Sequence, residues 1–154
     1  MTRTMTRTMT RIMSPRKLLS SLLILCFLGM SGTALSESKQ EYENRFVFML
    51  DFAVRTNEYV RQHLGDKGFA SYAHAMAEKN AQLAERLTPP KKFELLHPHF
   101  LLVLENIERS IFYAAKGDLP RYRHHQKVVR KELSFLETLA QRERIDIYMW
   151  DRRF

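Results

Sequence analysis

FELLHPHFLLVLENIERSIFYA, residues 93–114, decides the fold. Phe93, Phe100, Leu104, Ile107, Ile111 and Ala114 recur at spacings of three and four once His97 is counted in the remaining slot. Apolar side chains spaced in this way fall on one face of an α-helix, so the stretch reads as a core helix with an imidazole set into its seam. Pro98 follows His97 directly. A proline ring inside a helix displaces a backbone hydrogen bond, so Pro98 predicts either a kink or a restart. The first reading is a kink, with a nearby polar side chain or water serving the freed carbonyl of Glu94.

The same spacing runs on either side. The interval 37–64 carries Phe46, Leu50, Ala53, Asn57, Val60 and Leu64, and 69–87 carries Phe69, Ala73, Met76, Asn80, Leu83 and Leu87. The interval 119–144 carries Tyr122, Gln126, Val129, Leu133, Leu136 and Ala140. Between them stand the breakers. Gly65-Asp66-Lys67-Gly68 offers a glycine for a left-handed stop and Asp66 as the next cap. Thr88-Pro89-Pro90 ends the second interval and predicts Thr88 as cap of the third, and Gly117-Asp118 closes that one. Four amphipathic helices on short loops predict an all-α fold, an antiparallel up-and-down four-helix bundle over 37–144. A tail, 145–154, is expected to dock on the bundle or on a partner.

Residues 1–36 have the three parts of a signal peptide: a basic start, the apolar run 18–28, and Ala34-Leu35-Ser36 before a predicted cleavage at Glu37. The run is shorter than the roughly 20 apolar residues of a membrane span, which makes an uncleaved anchor the alternative. The expected compartment is therefore outside the cytoplasm, periplasmic or secreted, with membrane contact through the leader only. Met13 opens a more conventional signal start than the repetitive MTRTMTRTMTRI before it. The only cysteine, Cys26, leaves with the leader, so disulfide, thiol and thioether-haem chemistry are not expected of the mature chain. The net charge of +8 shrinks as well. Five of 25 basic residues precede position 18 and no acidic residue precedes Glu37, leaving 20 bases against 17 acids. With most of the excess charge in the leader and the chain exported, nucleic acid is not an expected partner.

Each seam carries a polar residue. Counted from the turns, Asn57 and Gln126 fall at one level with Asn80 about a turn away, which predicts a buried amide layer that fixes register. The alternative for this layer is a small-ligand or weakly enzymatic pocket. Glu94 and His97 form Glu-x-x-His, half of the arrangement di-iron bundles use twice, and no second copy exists. His97 with His99 and Glu94, or His63, His74, His124 and His125 gathered toward one end, are the candidate ligands for zinc or copper. Otherwise no cofactor is expected. Arg123, Lys127, Arg130 and Lys131 form a basic face that with Tyr148 and Trp150 makes the candidate interaction surface, for a protein or an anionic envelope component. The chain has no phosphate-binding glycine loop, no Gly-x-Ser-x-Gly and no zincin motif. The expectation is a non-enzymatic binding module, with a histidine-based metal-binding protein as the alternative.

Overall fold

The computed structural model describes residues 38–145 and 147, and is all-helical over that span. The leader, its cleavage site and the tail residues Tyr148 and Trp150 lie outside the described residues. Four helices follow one another: α1 (Lys39–Gln62), α2 (Lys67–Ala84), α3 (His97–Lys116) and α4 (Leu119–Arg142). They form an antiparallel up-and-down four-helix bundle. Among the described residues no helix is long and apolar enough to cross a membrane.

The helix ends follow from local chemistry. Ser38 caps α1 by accepting from the Glu41 N–H at 3.1 Å, and Asp66 caps α2 through the Phe69 N–H at 2.8 Å. Asp118 does the same for α4 through the Arg121 N–H at 3.1 Å. These side chains satisfy amides that a helix start leaves unpaired. Gly117 ends α3 in the left-handed region at φ 75°, and the Asp118 N–H reaches back to the Tyr113 carbonyl at 2.9 Å. Gly65, expected to do likewise for α1, does not take a left-handed conformation. There the chain stops at His63, whose ring Nδ1 donates to the Tyr59 carbonyl at 2.8 Å.

The third helix differs from its expectation. It starts at His97, with Pro98 in the first turn, where a missing N–H costs nothing. Of the two readings of Pro98, the restart holds and the interior kink does not. Thr88 and Pro89 each precede a proline, which pushes both toward extended backbone, so no helix opens at Thr88. The chain instead passes through a single 3₁₀ turn, Lys91–Phe93, that drops Phe93 into the core.

α3 packs against each of the other three helices. Its Phe100, Leu104, Ile107 and Ile111 are buried, beside Phe46 and Leu50 of α1 and Val129 and Leu136 of α4. Tyr42, Phe46, Phe93 and Phe100 form an aromatic cluster at the end where α1 and α3 begin, with ring centroids 4.5–6.2 Å apart. α2 contributes differently from its predicted stripe. Ala70, Ala73, Ala77, Asn80 and Ala84 are buried, whereas Met76 is 40% and Leu83 45% exposed. Small side chains let α2 lie close to helices that already supply the bulk. Beyond α4, Ile145 is buried and Ile147 half-buried against the core.

Candidate functional site

Polar groups meet at three depths. The deepest is a triad across α1, α3 and α4. Asn57 Nδ2 donates to Gln126 Oε1 at 3.2 Å, and Gln126 Nε2 returns a bond to Asn57 Oδ1 at 2.5 Å. Gln126 Nε2 also reaches Ser110 Oγ at 2.9 Å, and that hydroxyl lies 3.1 Å from Asn57 Oδ1. Asn80 stands apart from this layer. Its Nδ2 donates to the Met49 carbonyl at 2.9 Å, eight residues and about 12 Å along α1 from Asn57. Sequence reading passed over Ser110, although its place three residues after Ile107 puts it on the buried edge. One turn from Gln126, the buried Tyr122 hydroxyl has no hydrogen-bond partner among the described residues, and burial raises its pKa.

The histidines are spread over the surface and its margins. His97 points into the aromatic cluster, where Nδ1 and the Tyr42 hydroxyl are hydrogen-bonded at 2.7 Å. Burial lowers the His97 pKa and favours the neutral ring. Glu94 is exposed in the turn before α3 and His99 projects toward α4, so the three proposed ligands diverge. His99 Nδ1 donates to Glu132 at 2.9 Å. On the opposite flank of α3, His74 Nε2 donates to Glu108 at 2.5 Å. His125 Nδ1 donates to Asn106 Oδ1 at 2.9 Å. Burial, followed by the charges of His124 and Arg109, lowers the His125 pKa, partly offset by Glu108 and Glu105. Phe112 and Tyr113 stand between His74 and His125, His124 meets His125 edge-on at 5.3 Å, and His63 stacks on Tyr59. Neither histidine group is brought together. Among the described residues no three His, Cys, Asp or Glu side chains converge as metal ligands.

The third depth is the surface of α4. An open hollow of about 480 Å³ runs between α3 and α4, lined by His99, Lys131, Glu132, Ser134, Phe135 and Thr138. The Phe135 ring packs on His99 at 4.5 Å yet remains 47% exposed. Leu95 and Leu102 of the α3 side are also exposed. Next to the hollow, Arg123, Lys127, Arg130 and Lys131 are exposed, and none forms an ion pair among the described residues. Arg45 pairs with Glu41, Arg55 with Asp51, Arg61 with Glu58 and Arg109 with Glu105, whereas Arg86 outside α4 has no ion pair among the described residues. Within α4, Arg123, Lys127 and Lys131 succeed one another at four-residue spacing. Like charges so placed each cost a helix about 0.2–0.5 kcal/mol.

No family model, no curated protein and no solved structure matches this chain.

Proposed function

We propose that this protein is a non-enzymatic binding module, working outside the cytoplasm, that docks an anionic and partly apolar segment of a protein or envelope partner on the outer face of α4. The unmatched row Arg123, Lys127, Arg130 and Lys131 carries the reading. A helix that keeps like charges in succession gives up stability without a structural return, and complementary charge on a partner supplies the return. The hollow beside the row adds specificity. Phe135 offers an aromatic anchor, of the kind that concentrates binding energy in interfaces, with Lys131 at its rim. The signal-like residues 1–36 support the compartment. No metal or cofactor enters this reading.

Site-specific photocrosslinking in the producing cell tests it. A crosslinker at Ser134, on the hollow's rim, is expected to give one dominant adduct. Lys127→Glu combined with Lys131→Glu is expected to abolish that adduct while raising the unfolding free energy by a few tenths to about 1 kcal/mol. An adduct that survives charge reversal, or none at all, would remove the proposal.

A further inference from the structure

α2 has two seams. The inner one is small: Ala70, Ala73, Ala77, Asn80 and Ala84. The outer one runs Phe69, Tyr72, Met76, Lys79 and Leu83, at spacings of three, four, three and four, and Arg86 continues it three residues on, in the turn just past the helix end. That alternation is the a/d pattern of a coiled-coil seam, and here Tyr72, Met76 and Leu83 face away from the bundle's own core, while Phe69 at its start is half-buried against it. Tyr72 is 65% exposed, with Met76 and Leu83 also open to solvent. α1 extends the surface. The Tyr59 ring lies 4.5 Å from Phe69 at one end, and Phe48 adjoins Met49, whose carbonyl holds Asn80, toward the other. Phe48 and Tyr59 are 71% and 49% exposed. Both carboxylates of α2's second half and its end, Glu78 and Glu85, line a groove toward α3 instead.

We propose that this outer seam is the contact between two copies of the chain, paired antiparallel about a two-fold axis. Self-association is favoured over a lipid surface by the composition of the seam. An antiparallel register sets Met76 against Lys79, Tyr72 against Leu83 and Phe69 against Arg86 of the other copy. Both bases then meet a thioether or an aromatic ring, and Arg86 over Phe69 is a cation–π pair. A parallel register would set each base against itself. Area agrees. The five exposed side chains Phe48, Tyr59, Tyr72, Met76 and Leu83 present on the order of 500 Å². The stems of Lys79 and Arg86 carry this toward the roughly 800 Å² per partner of a standard interface. An isologous contact requires such a self-complementary strip. This surface is separate from the basic face of α4.

Sedimentation equilibrium of the full chain tests the pairing. Dimers are expected at about 10 μM, and Met76→Glu is expected to weaken association at least about 100-fold while leaving helical content unchanged. In a Cys26→Ser background, chains carrying Tyr72→Cys and chains carrying Leu83→Cys are expected to form a disulfide when mixed, and neither alone. A chain that stays monomeric at about 100 μM overturns the proposal, as does a dimer that survives Met76→Glu. A disulfide from Tyr72→Cys alone would overturn the antiparallel register. Monomers that bind anionic vesicles through Tyr72 and Met76 would assign the seam to lipid.

Discussion

At the scale of single residues, the triad Asn57, Ser110 and Gln126 matters because each amide is satisfied only by the others. Asn57→Ala leaves Gln126 Oε1 without its donor and opens a gap in the core, while Ser110 keeps the Ile107 carbonyl, and is expected to cost about 1–3 kcal/mol in urea denaturation. Replacing Asn57 and Gln126 together by leucine is expected to cost less than the sum of the single changes, because both unpaired groups leave at once. His97 predicts a pH dependence. Its native pKa is depressed by burial, so the unfolded chain takes a proton near pH 6.5 that the folded chain refuses. The stability this contributes is present above pH 6.5 and is lost as pH falls toward the native value. His125 shifts in the same direction. His97→Gln is therefore expected to flatten part of the decline in melting temperature between pH 6.5 and 5, with the His125 part remaining. Asn57 and Gln126 were legible as polar breaks in apolar stripes. The partners Glu132, Glu108 and Tyr42 were not, because spacing along one helix carries no information about what stands opposite.

At the scale of elements, α2 shows where periodicity stops deciding. Its inner and outer seams share the spacing of three and four, so the pattern reveals a helix without revealing which face turns inward. Side-chain size settles it: α3 already fills the centre with Phe100, Leu104, Ile107 and Ile111, and the neighbouring helix turns inward the face that carries its alanines and Asn80. Ala77→Leu is expected to overpack that contact and destabilise by about 1–3 kcal/mol, measured by chemical denaturation. Met76→Ala is expected to change the monomer's stability by no more than about 0.5 kcal/mol. Ordinary hydrophobicity reasoning ranks the two changes the other way. The start of α3 departs from its local pattern for a related reason. Thr88-Pro89-Pro90 resembles a cap followed by a first-turn proline, but a second proline holds the first extended, and after the 3₁₀ turn the α-helix begins only at His97.

At the scale of the whole molecule, the four-helix order and its antiparallel course could be read from three clusters of breakers and four stripes. Which helix stands at the centre could not. α3 touches all three others, while the buried face of α2 is made of methyl groups and one amide, with Phe69 and His74 meeting α1 and α3 at its margins. That difference has a consequence in time. A helix seated by alanines gives up little apolar contact when it lifts away, whereas α3 can leave only with the entire core. Local opening should therefore begin at α2. In native-state hydrogen exchange, amides of Ala70–Ala84 are expected to open with a smaller free energy than those of Phe100–Ala114, which should exchange only through global unfolding. Equal protection in the two helices would mean that the bundle opens as a single unit. A chain whose α2 is held on its outer side as well, by a second copy, should slow the exchange of that helix first and most.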